Sequence, residues 1–373
     1  MAMSDRLRNA KRLVIKIGST LLVDQETGAL RRDWLDALAD DVAACRARGQ
    51  DVLLVSSGAI ALGRRSLGLS AKSLRLEDSQ AAAAAGQIRL AHAYQESLAR
   101  HVVPVAQILL TSDDTERRRR YLNARNTLIA LLAHGSVPVV NENDTVATEE
   151  IRFGDNDRLA ARVAAMIGAD CLVLLSDIDG LYSADPRQDS TAVFIAEVDR
   201  ISPEIEAMAT GTGSRDGSGG MVTKLQAARL AGQAGCSMVI ADGGAAHPIA
   251  RLENGGRGTW FTTAATPASA RKRWIAGSLH AKGSIAIDAG AARALTRGKS
   301  LLPAGVTAVE GDFERGDAVT VRGPDGEALG RGLTAYSTAD ARLILGHRSD
   351  EIQAILGFLG REEMIHRDDL VLG

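Results

Sequence analysis

Between residues 13 and 262 the chain alternates short, almost wholly apolar runs with longer stretches whose apolar positions recur every three or four residues. The short runs cover residues 13–17, 52–55, 102–110, 137–140, 171–175, 238–241 and 259–262. Runs of this length, apolar throughout rather than alternating, read as strands buried on both faces. Between them Leu35, Leu38, Val42 and Cys45 fall at helical spacing, as do Leu122, Leu128, Leu131 and Leu132. Residues 79–100 and 156–167 read as two further helices, the first carrying the helix-compatible alanine run Ala81–Ala85. Strands separated by helix-length segments predict an α/β fold, a mainly parallel sheet sandwiched by helices.

After residue 264 the texture changes. Residues 266–278, with Arg271-Lys272-Arg273-Trp274, read as a linker. Beyond it short strand patterns at 284–288, 306–309, 318–321 and 328–333 are separated by turn markers such as Gly311, Gly316 and Pro324-Asp325-Gly326. The expectation is a catalytic domain over residues 1–265, the linker, and a small C-terminal β-rich domain over 279–365. At 373 residues the chain exceeds what one core usually supports, which agrees with two domains.

Composition narrows the function classes. A formal charge of −2 gives no electrostatic reason to expect nucleic acid or an anionic membrane as partner. No apolar run approaches a membrane span, and no secretory stretch follows the polar N-terminus, so a cytoplasmic protein is expected. Cys45, Cys171 and Cys236 lack metal-ligand spacing and read as buried thiols.

Polar and glycine clusters follow the predicted strands, where ligands gather in parallel sheets. They are Gly18-Ser19-Thr20, Ser56-Ser57-Gly58, Asn141-Glu142-Asn143-Asp144 and Ser176-Asp177. Lys16 sits inside an apolar strand, where an ammonium is costly without a counter-charge. Lys224 closes Gly217-Ser218-Gly219-Gly220-Met221-Val222-Thr223-Lys224 and opens a helix. A glycine loop entering a helix presents free N–H groups and the positive end of the dipole, which favours phosphate. The pair of lysines suggests a kinase gripping the transferred group from two sides. In Gly154-Asp155-Asn156-Asp157 one residue is expected to cap the following helix, and capping does not account for all three polar side chains. The seven histidines form no cluster near these loops. A hydroxyl acceptor usually needs a base, whereas a carboxylate, with a pKa of about 4.3, is already ionised at neutral pH. For such a substrate, lysines and a metal matter more than a histidine.

These motifs resemble the amino-acid kinase superfamily, and within it the branch that phosphorylates the side-chain carboxylate of glutamate at the entry to proline biosynthesis. The resemblance also covers Leu122-Asn123-Ala124-Arg125, Gly180-Leu181-Tyr182, Ala184-Asp185-Pro186-Arg187 and the run from Gly219 to Ala228, with serine at 176 and 218 where threonine is frequent. The C-terminal segment looks like a PUA domain, on Asp288-Ala289-Gly290-Ala291, Ser300-Leu301-Leu302-Pro303-Ala304-Gly305, Gly311-Asp312-Phe313-Glu314-Arg315-Gly316-Asp317 and Gly330-Arg331-Gly332.

The resemblance implies that Lys16 and Lys224 contact the phosphates and that Asp157 orients them. It implies that Ser57, Gly58, Asp144 and Asn156 hold glutamate. Ser176, Asp177, Ser218, Gly219, Gly220, Met221, Val222 and Thr223 would line the ATP site together with Lys16 and Lys224. Magnesium is expected on ATP, coordinated mostly by phosphate and water, with no metal ligands from the protein. L-proline is implied as inhibitor, with a homo-oligomeric assembly and hand-over of product to γ-glutamyl phosphate reductase. Other kinases of the superfamily, acting on N-acetylglutamate, aspartate, carbamate or UMP, are the nearest alternatives. An RNA-binding protein with a degenerate kinase domain is another, although residues 271–373 carry 14 basic and 14 acidic side chains, which argues against tight RNA binding.

Overall fold

The structure is a computed structural model describing residues 3–69, 74–146, 156–210, 220–278 and 280–373. The chain divides into two compact units, Met1–Pro267 and Ala268–Gly373. The strands of the first unit are β1 (Arg12–Ile17), β2 (Asp51–Ser56), β3 (Val105–Leu110), β4 (Val137–Glu142), β5 (Cys171–Ser176), β6 (Leu181–Tyr182), β7 (Phe194–Ile195), β8 (Glu197–Val198), β9 (Ser237–Asp242) and β10 (Gly258–Phe261). Eight of them form one sheet in the order β3-β4-β2-β1-β5-β9-β10-β8, while β6 and β7 pair apart as a ribbon. From β3 across to β9 every pairing is parallel; β10 runs antiparallel to β9 and closes the sheet with β8. The fold is thus the mainly parallel α/β sandwich that the hydrophobic rhythm predicts.

Side chains alternate across a strand. On β1 the odd positions, Leu13, Ile15 and Ile17, join a core with Trp34, Leu35 and Leu38 from the helix Arg32–Ala47 and Leu90 and Tyr94 from the helix Leu76–Ala99. Val14 belongs to the opposite core, under Leu159 and Val163 of the helix Asn156–Ile167 and Leu225 and Ala228 of the helix Met221–Gln233. Lys16 shares the parity of Val14, so its stem enters that second layer. Nor is it an edge residue: it lies beside Val55 on β2 and Leu174 on β5.

Three expectations shift in detail. The run at 102–110 becomes a strand only from Val105, because Val102 is 92% exposed with a left-handed backbone (φ 57°) in the turn after a helix. The two-residue strands β6, β7 and β8 have no periodicity to betray them. The alanine run marks a close helix crossing. A Cβ on Gly86 would lie 1.8 Å from the Ala59 carbonyl oxygen, and one on Gly63 would lie 1.7 Å from that of Ala82. Only glycine lets the helix Ala59–Ser66, which follows the Ser57-Gly58 turn, seat so closely on the helix Leu76–Ala99.

The second unit holds β11 (Gly283–Ile287), β12 (Val306–Gly311), β13 (Ala318–Arg322), β14 (Ala328–Leu333) and β15 (Leu370–Leu372) in one sheet, ordered β12-β11-β13-β14-β15. Its core gathers Ile285, Val319, Val321, Phe313 and Ile365. The segment read as a linker is helical over Pro267–Ser278. Ile275 of that helix is fully buried against Ala318 and Leu333, and Arg271 Nε donates to Asp369 Oδ1 at 2.9 Å. The strand β15 lies past residue 365, and a three-residue apolar run is too short to signal it.

Candidate active site

The site is assembled at the carboxyl end of β1 by the first turns of two helices. Asp157, second residue of the helix Asn156–Ile167, is fully buried. Its Oδ1 lies 2.6 Å from Lys16 Nζ, and its Oδ2 accepts from Lys224 Nζ at 3.0 Å. Thr223 Oγ1 approaches the same Oδ2 at 3.3 Å and donates to the Gly220 carbonyl at 2.8 Å. Burial alone would raise the Asp157 carboxyl, but the Lys16 and Lys224 ammonium groups outweigh it and hold the pKa below its ordinary value. Lys16 and Lys224 are themselves only 8% and 5% exposed. Two ammonium groups thus converge on one buried carboxylate, an arrangement of positive charge suited to an anion such as phosphate.

Lys224 arrives there because the helix Met221–Gln233 starts at Gly220, which has no side chain to cap the first turn. The first N–H groups of that helix therefore point toward the same region as the lysine. Met221 is buried beneath the turn, Val222 is exposed and Thr223 is half-buried. Ser218 and Gly219 lie outside the described residues, as do Gly154 and Asp155. At the end of β5, Ser176 Oγ donates to Asp177 Oδ1 at 3.1 Å, and Arg187 approaches the other oxygen of Asp177 at 3.4 Å. Burial works to raise the Asp177 carboxyl, but hydrogen bonds from its own backbone and Ser176, with Arg187, prevail and lower it.

Next to Asp157, Asn156 faces the other way chemically. Its Nδ2 donates to Ser57 Oγ at 2.6 Å, to Asn141 Oδ1 at 3.1 Å and to the Ser56 carbonyl at 3.2 Å. Asn156 is the first helical residue, and its amide is engaged with the sheet instead of capping the helix. Gly58 follows Ser57 with φ 105°, a conformation glycine adopts freely, and starts the helix Ala59–Ser66. Asp144, two residues past β4, is partly buried, and desolvation pushes its carboxyl up to about 6.

The structure thus brings Lys16, Asp157, Thr223 and Lys224 into one cluster and Ser57, Asn141 and Asn156 into a second, joined through adjacent residues of one helix. Asp144 stands on the loop that continues from Asn141. Two partners escaped the sequence reading. Gln87 accepts from Asn141 Nδ2 at 2.8 Å, and the hydroxyl of fully buried Tyr94 lies 2.9 Å from Ser56 Oγ. The available signal was Gln87 itself, a polar side chain on the stripe Ala83, Leu90 and Tyr94 that buries its helix. In the arginine run 117–120, Arg117, Arg119 and Arg120 are exposed, with Arg117 and Arg120 paired to Asp113, while Arg118 is half-buried. Among the described residues no group of three or more His, Cys, Asp or Glu side chains is placed to hold a metal, and no helix is long and apolar enough to cross a membrane.

Residues 11–242 match the model of the amino acid kinase family, and residues 283–356 match that of the PUA domain. The first match spans the whole cluster from Lys16 to Lys224. A glutamate 5-kinase of Paramagnetospirillum magneticum is 64% identical over 98% of this chain and 99% of its own length. The chain belongs to the glutamate 5-kinases of the amino acid kinase family. Relatives of the same designation from Rhodospirillum rubrum (61% identical, 96% of each chain) and Agrobacterium fabrum (58%, 98% of this chain and 94% of that one) agree. For the family assignment the important point is coverage: similarity runs through both units of the chain, so the kinase and PUA segments are matched as one protein.

Proposed function

We propose that this chain transfers the γ-phosphoryl group of ATP to the side-chain carboxylate of L-glutamate, the first committed step toward proline. The observation that carries the reading is the buried carboxylate of Asp157 held between Lys16 and Lys224. A glutamate carboxylate oxygen attacks the γ-phosphorus, the bond to the β,γ-bridging oxygen breaks, and ADP leaves. No proton has to move, since the attacking group is already ionised. The obstacle is repulsion between anions, and the ammonium groups of Lys16 and Lys224 oppose it. Asp157 holds both lysine side chains in place, and the start of the helix Met221–Gln233 supplies further positive potential. Magnesium, carried on the ATP phosphates, would neutralise part of their charge.

On the amino-acid side, Ser57 Oγ already accepts from Asn156, which leaves its own O–H to donate to a substrate carboxylate. Asn156 Oδ1 is buried without a hydrogen bond among the described residues, an acceptor available to the α-ammonium. Asp144 supplies a negative charge for the same group. Ser176, Asp177 and the residues from Ser218 to Lys224 bind ATP in this reading. L-proline inhibits by competing at the glutamate loop, the enzyme works as a homo-oligomer in the cytoplasm, and γ-glutamyl phosphate reductase takes its labile product.

Incubation with ATP, magnesium, L-glutamate and hydroxylamine is expected to accumulate γ-glutamyl hydroxamate. ATP turnover without hydroxamate, or turnover only with another acceptor, overturns the assignment. The PUA segment supports a weaker second role. A cavity of about 670 Å³ in the second unit is lined by Lys299 and Arg367 but also by Asp288 and Glu363. Its balanced charge suits only weak, salt-sensitive RNA contact.

A further inference from the structure

The amide network behind Ser57 has a polarity that two backbone groups dictate. The Glu142 N–H donates to Asn141 Oδ1 at 2.9 Å, so that atom must be the oxygen and Asn141 Nδ2 the donor facing Gln87. The Ser56 carbonyl can only accept, so the atom of Asn156 facing it must be the nitrogen. Asn156 Nδ2 is then occupied by Ser56, Ser57 and Asn141 together. What Asn156 has left is an acceptor, Oδ1, buried and without a hydrogen bond among the described residues. Such an end accepts from an ammonium and repels a carboxylate.

The selectivity holds only while Asn141 stays in place, and here Gln87 matters. It is 8% exposed, belongs to the helix Leu76–Ala99, which packs into the other core layer from the helix Met221–Gln233 carrying Lys224, and its Oε1 is the acceptor of Asn141 Nδ2. Without that acceptor, a buried amide donor is stranded, at a cost that favours swinging Asn141 toward another partner. Asn141 Oδ1 would shift from Asn156, whose Nδ2 keeps Ser56 and Ser57 but loses the third of its acceptors, so that its Oδ1 is held less firmly toward the substrate.

Resting on the glutamate reading above, we propose that Gln87 is a positioning residue for recognition of the α-ammonium group. It touches neither substrate nor phosphate. Through Asn141 it steadies the Asn156 amide with the Oδ1 acceptor as the end left for substrate, and so strengthens the preference for an amino acid over the same dicarboxylate lacking the amine.

The test compares L-glutamate with glutarate as acceptors in the full-length wild type, Gln87→Met and Gln87→Glu. Methionine keeps the length and volume of the side chain and removes the acceptor; glutamate retains an acceptor oxygen for Asn141. In Gln87→Met the ratio of kcat/KM for glutamate over glutarate is expected to fall about tenfold, through the glutamate KM, with the ATP KM unchanged within about twofold. Gln87→Glu is expected to retain most of the ratio. Equal losses toward both acceptors, or a ratio as low in Gln87→Glu as in Gln87→Met, overturn the proposal and leave Gln87 a packing residue. If Gln87→Met does not fold, Gln87→Leu is read in its place by the same ratio. A wild type that turns over no glutamate instead overturns the functional reading, which separates the two failures.

Discussion

The first two residues of the helix Asn156–Ile167 sit in opposite kinds of surroundings. Asp157 lies between two ammonium groups, where Coulomb attraction in a dry pocket dominates and the exact angles matter little. Asn156 lies among neutral amides, a hydroxyl and a carbonyl, where each contact is weak and directional. The charged half supplies force on the transferring group. The neutral half supplies discrimination, because its donors and acceptors are fixed in position and none can switch role. Changes in the first should therefore appear in kcat and stability, and changes in the second in the glutamate KM.

The largest effect is expected from Asp157→Asn, which removes the carboxylate that both buried ammonium groups share. Loss of about 3–5 kcal/mol of stability, read from the denaturant midpoint, should accompany loss of activity. Lys16→Ala and Lys224→Ala keep one partner for Asp157. Each should lower kcat about a hundredfold, some 2.7 kcal/mol of transition-state stabilisation, with the glutamate KM changed far less. Near-normal kcat in either variant would falsify its role at the phosphates.

On the glutamate side, formed by the neutral Asn156 and the neighbouring carboxylate of Asp144, the variants Asp144→Ala and Asn156→Ala should each raise the glutamate KM by about tenfold or more while the ATP KM stays within a few-fold. Equal loss for both substrates would dissolve the distinction between the two halves. The Asp144 carboxyl, raised to about 6 by burial, makes the distinction pH-sensitive. Its raised pKa favours the folded state when it is protonated, an advantage lost as pH rises through about 6. Binding has the opposite sign, since only the ionised form attracts an ammonium. The glutamate KM should therefore climb as pH falls below about 6, and this limb should vanish in Asp144→Ala.

The smallest change is expected from ending the chain at Pro267, where the first unit ends. Every residue assigned to chemistry precedes 225, and the helix Pro267–Ser278 buries Ile275 within the second unit. Such a chain should stay soluble and keep glutamate-dependent ATP turnover, measured again by hydroxamate. An insoluble or inactive product would show that the charged and neutral halves depend on the second unit.

Residue order alone determined much of this. Strands buried on both faces must be apolar throughout, so β1, β2, β4, β5 and β9 stood out to within a residue or two at each end. A lysine inside such a run is conspicuous because an ammonium there demands a partner. Gly220, which starts the helix carrying Lys224, was legible because loop chemistry is local. What order could not supply is which charge answers which. Asp157 is 141 residues from Lys16 and 67 from Lys224 in numbering, and their meeting depends on two helices packing on one face of the sheet. Nor could it reveal that Asn156 engages the sheet, that Gln87 reaches Asn141 across 54 residues, or that residues 267–278 form a helix with a buried isoleucine. Hydrophobic periodicity is carried by neighbours along the chain and survives in the sequence; the pairing of buried polar groups is set by distances that exist only once the layers have packed.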